Sequence, residues 1–476
     1  MGGPTSTVIT RNQKTKWDDT MPPLLRPLVK AYLIGYTSAV GPRILTLLIQ
    51  HVKPHITGAR QKCHDDDQRR QLPSLGQILK GGLDPQRFPT FCALLAGGST
   101  LCEIPLKSLL DKLAKNNSDL TRKRLSRFLA SFLSAYLSLK LLQSKKPPPK
   151  DDESQKPTAG RTLDLTFFTI TRALDVLGAS LWSLYLTHSP SPSAFKSLIK
   201  STTDPAIFAL SSALVMWSWF YHPDMLPKTY NKWITSAAQI DYSLIQALQR
   251  CREGTLIYAK ETGQAELLTP LCQKLNLPEE WGDPAVSYPF PCELVHLGVS
   301  PSCEIHAISR FVHSFIWASK TYLPLSLLLA LRNPNLKGFK RAIVSAARSS
   351  AFLGTFITLF YYGVCLTRTR IGPHILGKTP EACNKIDGGI CVGTGCFLCG
   401  WSILIEKPGR RKDMGMFVAP RALATLFPRR YDVDKEWRER LAFAASTAVV
   451  VTAVLEKKER VRGVFGSLLS GVLRTD

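Results

Sequence analysis

Apolar residues in this chain come in long blocks, and the charges are packed into the short stretches between them. The blocks run Leu28 to Val52, Phe88 to Leu110, Leu125 to Leu142, Leu163 to Leu186, Ala206 to Tyr221, Ala307 to Leu331, Ala342 to Leu366, Ile386 to Ile405, Met414 to Phe427 and Leu441 to Leu455. Several approach the roughly 20 residues that a bilayer-spanning helix needs, and the shorter ones suit half-spans or interfacial helices. A chain made almost wholly of such blocks leaves too little polar surface to cover a soluble globule. The pattern therefore predicts an all-α fold, a multi-pass transmembrane helical bundle.

Between the blocks lie three polar linkers and one longer segment. His55 to Ser74 carries an acidic run beside Arg69 and Arg70, and Ser189 to Asp204 is rich in Ser, Pro and Thr. Lys145 to Gly160, KKPPPKDDESQKPTAG, lacks large apolar residues and reads as disordered. Residues 235–302 are not membrane-like: a helical stretch of mixed charge precedes one rich in Pro, aromatics and Cys, which predicts a compact folded segment. The flanking regions, 1–234 and 303–476, read as two repeated halves. Lys30-Ala31-Tyr32-Leu33 answers to Lys320-Thr321-Tyr322-Leu323, and Leu79-Lys80-Gly81 with Arg87 answers to Leu336-Lys337-Gly338 with Arg341. Gly160-Arg161 followed by Phe168-x3-Arg172-Ala173-Leu174 answers to Gly409-Arg410 followed by Phe417-x3-Arg421-Ala422-Leu423.

Charge refines the picture. The net charge is +25, from 61 Lys+Arg against 36 Asp+Glu. The cations flank apolar blocks, which suits attraction to anionic membrane lipids, and no nucleic-acid-binding motif accompanies them. Basic loops on both sides of many blocks leave the orientation undetermined. The first residues contain no apolar run of a cleavable signal, so an internal span is expected to direct insertion. Met1-Gly2 with Ser6 fits a loose myristoylation pattern. Twelve scattered cysteines read as reduced, buried thiols rather than a secreted disulfide framework.

Few motifs carry chemistry. Cys292-x3-His296-x6-Cys303-x2-His306 gathers four residues of zinc-binding type at spacings unlike a standard finger; zinc, thiol redox chemistry and ordinary packing all remain open for it. Gly389 and Gly393 form a Gly-x3-Gly step inside GGICVGTGCFLCG, expected to permit close helix packing. Arg172 and Arg421 are costly in an apolar setting unless paired, facing water or snorkelling to headgroups. Asp175, three residues after Arg172, is a candidate partner for it. If the arginines face the bundle interior, their forked donors suit a carboxylate or phosphate. No nucleophile elbow, P-loop, dinucleotide fingerprint or HExxH motif occurs, so no catalytic residues are predicted and the chain reads as a non-enzyme.

Three stretches resemble the transmembrane protein 135 family: Pro291-Cys292 to Leu331, with His296, Cys303, Tyr322 and Pro324; Trp219-Phe220-Tyr221-His222-Pro223 running to Trp233-Ile234; and Glu406-Lys407-Pro408-x-Arg410-Arg411 running to Pro420-Arg421-Ala422-Leu423. More distantly, Gly388-Gly389-x3-Gly393 is similar to the end of the motif in the Tim17/Tim22/Tim23 group of organelle membrane proteins. The resemblance implies an integral membrane protein of the peroxisome or mitochondrion, with a role in lipid and fatty-acid homeostasis and organelle dynamics. Whether such a protein transports a solute is left open. Two other readings stand beside it: a membrane scaffold recruiting soluble partners such as organelle-dynamics proteins through basic loops, and a redox or metal protein using the central Cys/His segment.

Overall fold

The computed structural model describes residues 21–57, 74–113, 116, 118–144, 158–188, 193–332 and 334–473. The linker read as disordered lies, over 145–157, outside the described residues, as do the N-terminal pattern and most of the first acidic linker. In chain order the helices are α1 (Arg26–Thr57), α2 (Leu75–Gly82), α3 (Phe88–Leu113), α4 (Asp119–Gln143), α5 (Leu163–His188) and α6 (Ser193–Tyr221), then α7 (Lys228–Ala238), α8 (Tyr242–Glu253), α9 (Thr269–Leu275) and α10 (Cys292–Val295). There follow α11 (Cys303–Ala330), α12 (Leu336–Leu366), α13 (Gly372–Leu376), α14 (Pro380–Lys385), α15 (Cys391–Cys399), α16 (Pro408–Ala424), α17 (Glu436–Glu456) and α18 (Gly463–Leu473). Among the described residues the fold is all-helical apart from a two-residue antiparallel ladder, in which Thr158 pairs with Asp432 and Ala159 with Tyr431.

Three helical stretches among the described residues are long and apolar enough to cross a membrane: Asp119–Gln143, Leu336–Leu376 and Pro380–Ile405. This is fewer than the sequence blocks suggest. Charges interrupt the other long helices, as Lys30 and Arg43 do in α1 and Arg310 and Lys320 in α11. The side-chain distribution on α4 is inverted relative to a water-soluble helix. Ser126, Ala130, Ser131, Ser134, Ala135 and Ser138 are buried, while Leu125, Leu129, Leu133 and Leu137 are exposed. Small residues inside and leucines outside suit close packing in hydrocarbon, where leucine gains little from hiding.

The chain forms two compact units, 1–184 with 430–476 and 185–429. These boundaries differ from the sequence halves at 234 and 302, because the C-terminal segment packs with the first helices. In the first unit, α3 lies against both α1 and α4, and α4 lies against α17. Gly97 lets α1 approach: a Cβ there would sit 2.5 Å from that of Leu28. Phe91, Ala135, Leu139, Phe443 and Ala444 form the core of α3, α4 and α17, and Ala173, Val176, Val450 and Val454 join α5 to α17. Buried Glu439 accepts hydrogen bonds from Thr162 (2.6 Å), Thr166 (3.0 Å) and Tyr431.

In the second unit, α11 and α12 form a hairpin, α12 packs on α15, α15 on α6 and α6 on α16. The close backbone approaches fall at Gly395, whose Cβ would meet the Phe360 carbonyl at 2.7 Å, and at Gly400, which faces Ala209 of α6 at 2.4 Å. Gly389 and Gly393 instead face Trp217, with the Arg252 guanidinium also against Gly389, so the expected Gly-x3-Gly contact is displaced to Gly395 and Gly400. The central segment builds its own apolar core from residues that include Leu244, Tyr258, Leu268, Leu271, Phe290 and Leu294.

The segments following α6 and α17 are laid out alike. Each helix ends, a single 3-10 turn begins two residues later (Pro223–Met225; Lys458–Arg460), and an 11-residue helix, α7 or α18, begins five residues after that. The third residue of each short helix is aromatic, Tyr230 or Phe465, and Leu226 and Val461 are buried at matching positions before it.

Candidate functional site

The central Cys/His motif folds into one buried cluster. Cys292 opens α10, and His296 closes it. Leu297 and Gly298 then both take left-handed backbone angles (φ 56° and 75°), a conformation leucine rarely adopts. The tight turn brings the Ser300 carbonyl 2.7 Å from His296 Nδ1. A carbonyl only accepts, so Nδ1 carries the proton and Nε2 presents its lone pair to the cluster. Ser302 caps α11, accepting from the Ile305 amide, and places Cys303 at the first position of that helix. The donor atoms of Cys292, His296 and Cys303 all lie within 4.8 Å of one another, an arrangement that can hold a metal ion.

One further side chain joins this group. Cys365, near the end of α12, places its sulfur 3.2 Å from His296 Nε2 and interacts electrostatically with Cys303. His306 does not join the converging donors. Its ring stacks on that of His296 with centroids 4.2 Å apart, and neither of its nitrogens has a hydrogen-bond partner although the residue is only 1% exposed. One helical turn separates Cys303 from His306, and the helix carries the imidazole across the face of its neighbour rather than toward the thiols. Burial lowers the pKa of His296, and burial with the neighbouring His296 pushes His306 down to about 3, so both rings are neutral at physiological pH. Burial and the Cys303 thiol push Cys292 up to about 11. All described cysteines are free. Cys365 escaped the sequence reading because it lies in an apolar block 62 residues (365 − 303) from its nearest partner in sequence; nothing local distinguishes it from a packing cysteine.

The two arginines of the repeated motif occupy related settings, one in each unit. Arg172 lies between the rings of Phe168 (5.2 Å) and Phe465 (5.4 Å), and its Nη1 donates to the Arg462 carbonyl at 3.3 Å. It is 6% exposed. Asp175, expected to serve Arg172, receives a forked contact from Arg462, whose Nε lies 3.1 Å from Oδ2. Arg421 lies between Phe417 (3.9 Å) and Tyr230 (5.3 Å), donates to the Phe417 carbonyl at 2.7 Å and stays half-buried.

Phe417 and Tyr230 also line a cavity of about 370 Å³ in the second unit. Its other walls are chiefly apolar: Phe208, Val215, Trp233, Phe352 and Met414 among them. Larger clefts in the first unit, about 810 and 760 Å³, are walled by side chains that already neutralise one another, such as Arg127 with Glu103 (2.9 Å) and Arg124 with Glu456. Beneath the central segment, Arg368 makes a forked pair with Asp387 (2.7 and 2.9 Å), and Tyr258 donates to the same carboxylate at 2.6 Å. This pair joins two π-helical turns, Thr367–Ile371 and Ile386–Ile390. Its groups are fully satisfied, which marks it as architecture.

Among the described residues, fold and sites together define an all-helical arrangement with three helical stretches long and apolar enough to cross a membrane, an apolar cavity whose lining rings hold an arginine, and a largely buried thiol–imidazole cluster. Compared with family models, curated proteins and solved structures, the chain matches none.

Proposed function

We propose that this chain is a non-enzymatic integral membrane protein of the peroxisome or mitochondrion that binds lipids or fatty acids in the cavity beside Arg421. The observation that carries the reading is the pairing of chemistries at that site. A wall of Phe, Trp, Met and Val side chains accepts an acyl chain, and a guanidinium held against two of the lining rings offers a forked donor to a carboxylate or phosphate. Membrane lipids are the natural ligands of such a site, and support of lipid homeostasis and organelle dynamics follows from it.

The proposed architecture is a bundle of two repeated halves that exchange their last segments. The first half ends in α6 and α7, which pack with α15 and α16; the second ends in α17 and α18, which pack with α4 and α5. The matched spacing of the two short helices supports this, as does the Phe–Arg–aromatic sandwich formed in each unit.

The test is photo-crosslinking of a fatty acid bearing a diazirine to full-length protein in lipid nanodiscs. Labelled peptides should map to α6, α7, α12 and α16, and Arg421→Lys should lower labelling about tenfold, the equivalent of about 1.4 kcal/mol, because lysine keeps the charge but loses the fork. Equal labelling of wild type and Arg421→Lys would refute an anionic headgroup at this site. Imaging a tagged chain against organelle markers tests the location.

A further inference from the structure

We propose that Cys292, His296, Cys303 and Cys365 form a tetrahedral zinc site that clamps the central segment to the open end of the α11–α12 hairpin. The inference is independent of the lipid reading. Four donors come from three elements: Cys292 and His296 from α10 and its C-terminal turn, Cys303 from the start of α11 and Cys365 from the end of α12. Zinc holds sulfur at about 2.3 Å and nitrogen at about 2.0 Å, so tetrahedral donors stand about 3.8 Å apart. The cluster approaches that scale: Cys292, His296 and Cys303 converge within 4.8 Å, and His296 Nε2 stands 3.2 Å from the Cys365 sulfur.

The imidazole is already set for ligation. Its Nδ1 proton is held by the Ser300 carbonyl, an orientation that metal-bound histidines almost always receive from a carbonyl or carboxylate behind them. Three thiols and an imidazole select a soft, tetrahedral ion over magnesium or calcium, and among such ions zinc brings no redox change. Binding replaces three S–H protons with one Zn²⁺, releasing three protons and leaving a net charge of −1 on the complex. Arg310 acts electrostatically on His296 and donates only to backbone carbonyls, so cationic charge stands near to offset that anion. His306 stays outside the ligand set and backs the His296 ring by stacking. This differs from the set the sequence suggests by exchanging His306 for Cys365.

The consequence is a cross-link. Without metal, the central segment is tied to the hairpin by the hydrogen bonds of Tyr361 and Arg310 to the Ala238 carbonyl and by the His296–His306 stack; with it, Cys303 and Cys365 are also joined to α10 through one ion. Metal binding of this kind contributes directly to folding free energy.

Full-length protein purified under reducing conditions without chelator should contain one zinc per chain by elemental mass spectrometry. Replacement with cobalt should give tetrahedral d–d bands and a thiolate charge-transfer band of the intensity expected for three sulfurs. That readout is made on wild-type protein and does not depend on a variant folding. Cys365→Ser should lose the metal, and His306→Phe should keep it. Absence of metal as purified together with no zinc uptake on titration would overturn the site. So would a Cys292–Cys303 disulfide in freshly isolated protein. Retention in Cys365→Ser with loss in His306→Phe would overturn the ligand set in favour of the four residues of the local motif.

Discussion

The helices carrying Phe168-x3-Arg172 and Phe417-x3-Arg421 present the same motif to two surroundings. In the first unit, α18 closes over the arginine: Phe465 stands edge-on to Phe168 at 4.9 Å, and the preceding Arg462 supplies both a carbonyl to Arg172 and a cation to Asp175. In the second unit, α7 brings Tyr230 to the matching position, but Pro227 stands where Arg462 stands in the other segment. No Asp175 counterpart exists there either, since Ala424 lies three residues after Arg421. One arginine is thus built into the packing, and the other lies against two rings that line an apolar cavity. A shared motif fixes the sandwich of rings around the guanidinium; the residues contributed by the neighbouring segment decide whether that guanidinium is sealed or left beside a cavity.

The comparison can be broken at the buried ion pairs first. Asp387→Asn should cost roughly 3–5 kcal/mol, because it leaves the nearly inaccessible Arg368 without its counter-charge. Thermal unfolding in detergent would show this as a large fall in midpoint, and an unchanged midpoint would remove the pair from the stability of the second unit. Asp175→Asn in the first unit should cost less, about 2 kcal/mol, since Arg462 is partly exposed and can regain water. Equal losses in the two variants would show that burial does not rank these pairs.

The aromatic partners come next. Phe465→Leu keeps apolar volume but removes the ring faces from Arg172 and Phe168, for an expected loss of about 1 kcal/mol. Tyr230→Leu should lower stability by a similar amount and also reduce fatty-acid labelling, a second effect that Phe465→Leu should not share. Identical behaviour of the two would mean that the cavity has no special role. The smallest stability effect is expected for Arg421→Lys, under about 0.5 kcal/mol, because the residue is half-buried and lysine retains the charge. A fall as large as that of Asp175→Asn would instead make Arg421 a packing residue like Arg172.

Much of the local structure is legible in the sequence because helices are written by nearby residues. The long helices fall largely on the apolar blocks. The motif pairs around Arg172 and Arg421 are visible for the same reason. The grouping of helices is not. The sequence halves end at 234 and 476, whereas the units divide near 184 and 429, because nothing local to α6 or α17 states which helix it will pack against.

The thiol cluster divides in the same way. Cys292, His296 and Cys303 lie within 12 residues of one another, so the sequence groups them by type and proximity, and the structure brings their donor atoms together. His306 reads as a ligand from its spacing but is carried aside by one turn of helix, and Cys365 arrives only because the α11–α12 hairpin returns its far end to the start. By itself the sequence determined the helical class, the apolar blocks, the paired arginine motif and three residues of metal-binding type, since each rests on periodicity or on residues a few positions apart. Tertiary structure alone decided the fourth donor, the sealed and unsealed arginines and the membership of each unit. Those depend on contacts between segments tens to hundreds of residues apart, and the free energy of such contacts is set by packing rather than by local pattern.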